Sequence, residues 1–353
     1  MLSQTLRPQD WDSVAGQQLL ITTLKAIIKA PEKSPRSIIL SGPFGTGKST
    51  SARILGKALN CPNKDKNMNP CNKSNCPICS QDINACSFYD EYDSSVVGNV
   101  ETIRELRDTF HYTIEGMYRV IVMDEIQEAS SKAQGALLKV LEEAPNGIFF
   151  VFATTHPHKL IPTILSRSLE IKLQGVSISD IEHNIRNHMI NLDMDVDDMV
   201  IKTIAQKSKG HMRNAHMLLD LYSLIGKEAF KESVKSARQS LVQYFLSMAT
   251  KNKALLFKSM DELQTFPVAN IKDDYDNLLL DLTKAFIDKD ESQLSKLAQA
   301  LNTNLLKIVR QSSEQWFSNS FYNDVSMTTA LMALWQLITQ GTNTKNTSTI
   351  RTK

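Results

Sequence analysis

The chain has 353 residues, enough for two or three domains at the usual ~100–200 residues each. It is 42% hydrophobic and 22% charged, with 40 Lys and Arg against 38 Asp and Glu. These values exclude a wholly disordered chain, a disulfide-stapled miniprotein and a histone-like basic protein, but leave room for a basic stripe within a neutral total.

No apolar run is long enough to span a bilayer, and the start MLSQTLRPQDWDSV has no apolar signal core, so a cytoplasmic protein with no membrane partner is expected. Gln17 to Ile28 reads as a helix with a stripe of Leu19, Leu20, Leu24 and Ile27. Pro31 and Pro35 end it and introduce the apolar strand Ser37–Leu40. Glycines follow, then a helix from about Lys48 to Leu59. Residues 60–82 are polar, cysteine-rich and aperiodic, and read as an insertion into a regular α/β pattern. The pattern resumes with a helix over Asn99–Phe110, a strand Val120–Met123, a helix Ser130–Glu143, a strand Ile148–Ala153 and a short strand Glu170–Leu173. Strands alternating with helices predict a parallel sheet covered on both faces. From Ser177 the period is helical, with helices at 179–190, 196–208 and 212–224, then a second helical unit over about 232–340 with a break at Pro267. In that unit Leu278, Leu282, Phe286, Leu294, Leu297 and Leu301 recur at helical spacing; most should fill one core and a surplus should face other subunits. Residues 341–353 read as a loose polar tail.

Gly42-Pro43-Phe44-Gly45-Thr46-Gly47-Lys48-Ser49 fits the phosphate-loop pattern and sits between a strand and a helix, the context that gives the motif meaning. Backbone N–H groups and the helix start would cradle phosphates, Lys48 would reach the β and γ phosphates, and Ser49 would ligate Mg²⁺. Val120–Met123 ends in Asp124-Glu125, at the strand edge where ligands of open α/β sheets bind. Asp124 would orient the Mg²⁺ and Glu125 would polarise an attacking water, which points to a hydrolase and away from a kinase of small molecules, where the acceptor is not water. Thr154 and Thr155 follow the next strand, and either hydroxyl could meet the γ-phosphate or the water.

The five cysteines fall within Cys61–Cys86. Cys61, Cys71, Cys76 and Cys79 can supply four thiolates to a closed, structural Zn²⁺ site, although the first half is spaced more widely than a usual knuckle; Cys86 reads as a core thiol. Replacing Cys79 should then disturb the insertion more than the phosphate loop, since the two read as separate elements.

These residues resemble the AAA+ ATPases of sliding-clamp loaders, and in particular the bacterial DNA polymerase III gamma/tau subunits. The resemblance runs through Leu6–Gln17, the phosphate loop, the cysteine insertion, Glu101–Leu106, Asp124-Glu125, Ala136–Pro145, Ala153–Leu160, Ile164–Arg167 and Gly210–Ala215. It is dense over about residues 1–225 and afterwards rests on helical character. It implies an AAA+ domain over 1–175, a helical lid over 176–230, an all-helical collar for oligomerisation over 231–340, and the tail. It also implies roles. Arg7 and Pro8 would lie near the adenine, and Gly42, Gly45, Thr46, Gly47 and Thr50 would join Lys48 and Ser49 around the phosphates. Thr155 would be the first sensor, Arg213 the second sensor, and Arg167 an arginine finger acting on a neighbour's site. Implied partners are a sliding clamp, primer-template DNA, and other loader subunits or copies of this chain in a five-membered ring. Arg104, Arg107 and Lys132 are the candidates for DNA phosphates.

Departures from the gamma/tau pattern mark a divergent form, compatible with a viral origin. They are Gln127 where His is usual, Ser168 after Arg167 in place of Cys, Pro43-Phe44 where Arg is frequent, and Ala144 for a proline. With an end near 353, a long tau-type extension is not expected. Other readings are a branch-migration motor or replication initiator, against which the cysteine insertion and the Leu137-Leu138-Lys139-Val140-Leu141-Glu142-Glu143 box argue. A non-hydrolysing loader scaffold would typically lack Lys48 or the acidic pair.

Overall fold

The computed structural model describes residues 6–97, 100–112, 116–191, 197–234, 236–266, 268–288 and 292–301. The chain divides into two compact units, residues 1–231 and 232–353.

The first unit is built on five strands: β1 (Ser37–Ser41), β2 (Tyr89–Asp93), β3 (Arg119–Asp124), β4 (Ile148–Thr154) and β5 (Leu169–Lys172). Their order is β2-β3-β4-β1-β5, and every neighbouring pair is parallel. Successive residues of a strand face opposite sides of the sheet. Ile38 and Leu40 therefore join Val120, Val122, Phe149 and Val151 in one core cluster, shared with Leu24 and Ile28 of α1 (Gln18–Lys29) and Ala52 and Leu55 of α2 (Lys48–Asn60). Ile39 joins Ile121, Met123, Phe150 and Phe152 in the other cluster, completed by residues of α4 (Val100–Asp108) and α5 (Ser131–Glu143). Both faces are thus covered, as the near-continuous apolar runs require.

Two elements escape the sequence reading. Strand β2, Tyr-Asp-Glu-Tyr-Asp, carries three carboxylates and has no apolar run. It forms because it is a sheet edge: Asp90 pairs with Arg119 at 2.7 Å and Glu91 with Arg53 at 2.9 Å. A four-residue helix, α3 (Ser94–Val97), follows it. The short α6 (Pro162–Arg167) includes Arg167 as its last helical residue.

A helical bundle completes this unit: α7 (Ile178–Asn191), α8 (Asp198–Lys207) and α9 (Met212–Ser233). Helix α9 runs on past the expected end at residue 224, but it is two helices joined at a kink where Gly226 takes φ 76°. In the second unit, α10 (Arg238–Thr250), α11 (Lys253–Leu263), α12 (Val268–Asp288) and α13 (Gln293–Leu301) enclose their own core of Leu241, Tyr244, Phe245, Met260, Leu278 and Leu282. Leu278, Leu282, Leu297 and Leu301 are buried in it, and Phe286 and Leu294 pack against it. The five leucines and one phenylalanine expected to leave a surplus therefore all serve one interior. Among the described residues of this unit, the large apolar side chains that are exposed are Leu246, Phe257, Leu280 and Ile287. The expected helix start at Asn99, the break at Pro267, the helical stretch 302–340 and the tail 341–353 lie outside the described residues.

Candidate nucleotide site and cysteine cluster

The chain leaves β1 at Ser41 and turns under the sheet edge before α2 begins at Lys48. Gly42 makes that turn possible: a Cβ there would lie 2.4 Å from the backbone oxygen of Leu173. Gly45, at φ 70°, passes against Arg213, whose Cβ would be 3.2 Å from any Cβ added there. Lys48 is buried, and its Nζ donates to the carbonyls of Gly42 at 2.9 Å and Pro43 at 3.0 Å. Burial lowers its pKa below the usual lysine value, Glu125 and Asp124 pull the other way, and Arg213 lowers it further. The ammonium is thus held in a small, partly dehydrated pocket next to two carboxylates, where another anion would be welcome.

Across the same cavity, Ser49 Oγ donates to Asp124 Oδ2 at 2.7 Å. These are the two groups expected to share Mg²⁺, and they meet from the start of α2 and the end of β3. Glu125 follows in the left-handed backbone region, at φ 48°, an unfavourable conformation for a residue with a side chain. The same cavity is lined by Arg7, Pro8, Gly45, Thr46, Gly47, Lys48, Ser49, Thr50, Asp124, Glu125 and Arg213. Gly42 is not on the lining, and it contributes its carbonyl and its turn instead. Arg7 is depressed by burial and by neighbouring Arg53 and Arg213, with Glu91 opposing, so positive charge is concentrated at this end of the cavity.

Arg213 reaches the site from the start of α9 and stacks over the ring of Phe44, 4.3 Å from its centroid. Two more bonds join the bundle to the loop: Met212 N–H to Gly45 O at 3.1 Å, and His211 Nδ1 to Phe44 O at 2.5 Å. Asn184 and His216, from α7 and α9, also line the cavity. Burial, then nearby His188, pushes the His216 imidazole down to about 4. No local motif points to Asn184, His216 or the Phe44 platform, because each meets the loop only through tertiary packing.

Thr155 lies beside Glu125, its Oγ1 3.1 Å from Glu125 Oε2. Arg167 is elsewhere. It is half exposed, it does not line the cavity, and its Nη2 pairs with Glu142 Oε1 at 3.1 Å. Arg104, Arg107 and Lys132 come together with Lys139 along one groove between α4 and α5, where Arg107 also pairs with Glu143 at 3.7 Å.

At its other end α2 stops at Cys61, whose N–H caps the helix through Lys57 O at 2.8 Å. The sulfurs of Cys61, Cys71, Cys76 and Cys79 all lie within 4.8 Å of one another. Tetrahedral Zn–S bonds of ~2.3 Å place sulfurs roughly 3.8 Å apart, so four residues over a 19-residue stretch form a set that fits the ion. Cys71 N–H points to Cys61 Sγ at 3.4 Å and Cys79 N–H to Cys76 Sγ at 3.5 Å, backbone bonds of the kind that support thiolates. Burial works against ionising Cys76, but the N–H groups of Cys79 and Ile78 and the adjacent thiols bring it down to about 7. Burial raises Cys61 and Cys79. Cys86 is buried outside this set, its Sγ 3.2 Å from Asp82 O.

The insertion does not stand apart from the nucleotide site. Its Asn69 Oδ1 accepts from Trp11 N–H at 2.9 Å, Met68 O accepts from Trp11 Nε1–H at 3.1 Å, and Asn69 Nδ2 donates to Asp12 at 2.7 Å. The segment so held begins with Arg7 and Pro8 and continues to Val14 and Ala15, all four on the nucleotide cavity.

The family model for the DNA polymerase III delta subunit matches residues 16–177. The DNA polymerase III subunit gamma of Buchnera aphidicola subsp. Acyrthosiphon pisum is 34% identical over 222 residues, which is 62% of this chain and 60% of that protein. The gamma subunit of Buchnera aphidicola subsp. Baizongia pistaciae is 28% identical over 338 residues, covering 92% of this chain and 88% of its own. The K64R mutant of Thermotoga maritima RuvB superposes on 84% of this chain and 86% of its own, with 18% identity and a TM-score of 0.49. The resemblance to gamma/tau subunits is thus borne out, over a length close to that of the motif-bearing region. The fold is the α/β one expected, a parallel sheet with the phosphate loop after β1, followed by a largely helical part. Among the described residues no helix is long and apolar enough to cross a membrane.

Proposed function

We propose that this gamma/tau-like chain is an ATP-hydrolysing motor subunit of a sliding-clamp loader. The observation that carries the reading is the convergence of Lys48, the Ser49–Asp124 pair, Glu125 and Arg213 on one cavity, from three separate elements. Lys48 would neutralise the β and γ phosphates, and Arg213 would add charge from the helical lid. Ser49 and Asp124 would hold Mg²⁺, which when bound would screen the phosphate oxygens. Glu125 would accept a proton as water attacks the γ-phosphorus and the bond to the ADP oxygen breaks, giving ADP and inorganic phosphate. Thr155, hydrogen-bonded to Glu125, would sense the γ-phosphate. Arg7 and Pro8 would flank the base. The four cysteines would bind one structural Zn²⁺.

Arg167, away from its own phosphate loop on an exposed edge, would serve a neighbouring subunit's ATP. The groove of Arg104, Arg107, Lys132 and Lys139 would follow the DNA backbone by charge and shape. The second helical unit would hold the subunits in a five-membered ring, and its exposed Leu246, Phe257 and Leu280 are suited to such contacts. ATP would hold the ring in a clamp-opening state, and primer-template DNA would trigger hydrolysis and release in the cytoplasm. The test is ATP turnover of the assembled subunits with clamp and primed DNA, separately and together. Stimulation that needs both supports clamp loading; turnover indifferent to both would assign the chain to other AAA+ work.

A further inference from the structure

Gln127 sits in the 3₁₀ turn Ile126–Glu128, immediately after the acidic pair. It is buried, and all of its amide is used. Gln127 Nε2 donates to Glu125 Oε2, and it also lies 3.2 Å from Thr155 Oγ1. Gln127 Oε1 accepts from Thr154 Oγ1 at 2.6 Å. Thr154 fixes which way the amide points. Its hydroxyl oxygen accepts the N–H of His156 at 3.0 Å and its proton goes to Gln127 Oε1. The amide nitrogen is left facing Glu125. Thr155 Oγ1 donates to the same carboxylate oxygen at 3.1 Å and pairs with His156 Nδ1 at 2.9 Å.

We infer that Gln127 is a positioning residue that holds the Glu125 carboxylate and the Thr155 hydroxyl as one unit, anchored to β4 through buried Thr154. The inference rests on the ATP-hydrolysis reading of this site. Its logic is geometric. Glu125 stands in an unfavourable left-handed backbone conformation just beyond a strand, and its side chain is held by contacts from Gln127 and Thr155. Two donors on Oε2 fix the rotamer and leave the other oxygen to take a proton from water. A group at the γ-phosphate that draws on Thr155 also draws on Glu125, because the two share Gln127. A neutral histidine at 127 could reproduce the pattern, donating from one ring nitrogen to Glu125 and accepting from Thr154 with the other. A charged imidazolium could not accept, and it would pair with Glu125 as a cation.

The experiment measures ATP binding and steady-state turnover for the full chain and for Gln127→Leu, Thr154→Val, their double variant and Gln127→His. Gln127→Leu keeps the size and removes the amide. It should lower kcat by about 10–100-fold, the scale of a displaced catalytic group, with Kd for ATP within about twofold of wild type. Thr154→Val should do the same to a smaller extent, and the double variant should cost no more than Gln127→Leu alone, since both remove one unit. Gln127→His should retain turnover near pH 8 and lose it as the pH falls through the imidazole range. Asp124, Glu125 and His156 lie nearby in every variant, so the wild-type profile is the reference. Gln127→Leu with wild-type kcat would overturn the inference, and so would equal losses in kcat and ATP affinity or strict additivity of the double variant. If Gln127→Leu fails to fold, Gln127→His and Thr154→Val decide: a His profile identical to wild type overturns it. A wild-type chain that binds Mg-ATP and never hydrolyses it would instead remove the functional reading, and the positioning role with it.

Discussion

Helix α2 carries a different kind of site at each end. Its 13 residues span ~20 Å. At the N-terminal end, Lys48, Ser49, Asp124 and Glu125 are held by hydrogen bonds around an open cavity. At the C-terminal end, Cys61 caps the helix and joins three other sulfurs in a closed cluster. The first arrangement suits a ligand that comes and goes, since its charges stay partly unsatisfied by protein alone. The second suits an ion that stays, since the ligand set is complete without water. The closed cluster thus braces the open cavity: through Met68 and Asn69 the insertion grips Trp11, and so the N-terminal segment that lines that cavity.

The largest expected effect probes how far the exchanging site is complete within one chain. Arg167→Ala should reduce turnover of assembled rings by about 10³–10⁵-fold while leaving ATP binding intact. Lys48→Ala subunits, which lack a site but keep the arginine, should restore measurable turnover when mixed into the same rings. Failure of rescue in rings verified by mass would place Arg167 in its own subunit's fold, where its exposed pair with Glu142 is worth about 0–1 kcal/mol at most.

Acid offers a second way to separate the ends. Burial holds the His216 pKa at about 4, below its unfolded value of ~6.5. The unfolded chain therefore binds the extra proton first, so stability is full above pH ~6.5 and falls as the pH drops toward 4. The loss is about 3 kcal/mol for this residue. His216→Leu should remove that part of the acid sensitivity, measured by denaturant unfolding between pH 7 and pH 4. An unchanged pH dependence would mean that the lid side of the nucleotide cavity does not impose it.

The smallest expected effect joins the two ends. Removing the metal with a chelator, or changing Cys79 to Ser, should loosen the hold of Asn69 on Trp11. ATP affinity should fall about five- to thirtyfold, the worth of one or two hydrogen bonds at ~1 kcal/mol each, with turnover at saturating ATP unchanged. This sharpens the expectation, drawn from the sequence, that the two sites are separate elements. Equal affinity with and without metal would restore that separation.

Much of the exchanging site was legible in the sequence because its chemistry is local. The phosphate loop is eight consecutive residues, and the acidic pair directly follows an apolar run. The doubly covered parallel sheet was legible for the same reason, from β1, β3 and β4 as apolar stretches between helical periods. Strand β2 was not, because its charges are neutralised by Arg119 and Arg53, distant in sequence. Gln127 stood out in the sequence only as an unusual residue. Its partners Thr154 and Thr155 lie 27 and 28 positions away, and only the β3–β4 register brings them together. The Phe44–Arg213 stack and the Asn69–Trp11 bond likewise join segments that share no pattern.

The most direct test of the central claim pairs two variants of the same cavity. ATP binding and phosphate release would be measured with Mg²⁺ for wild type, Lys48→Ala and Glu125→Gln. The account predicts that wild type hydrolyses ATP, and that Lys48→Ala neither binds nor hydrolyses it. It also predicts that Glu125→Gln binds ATP normally but turns it over about 10²–10⁴-fold more slowly, the usual contribution of a general base. Undiminished phosphate release by both variants would contradict it.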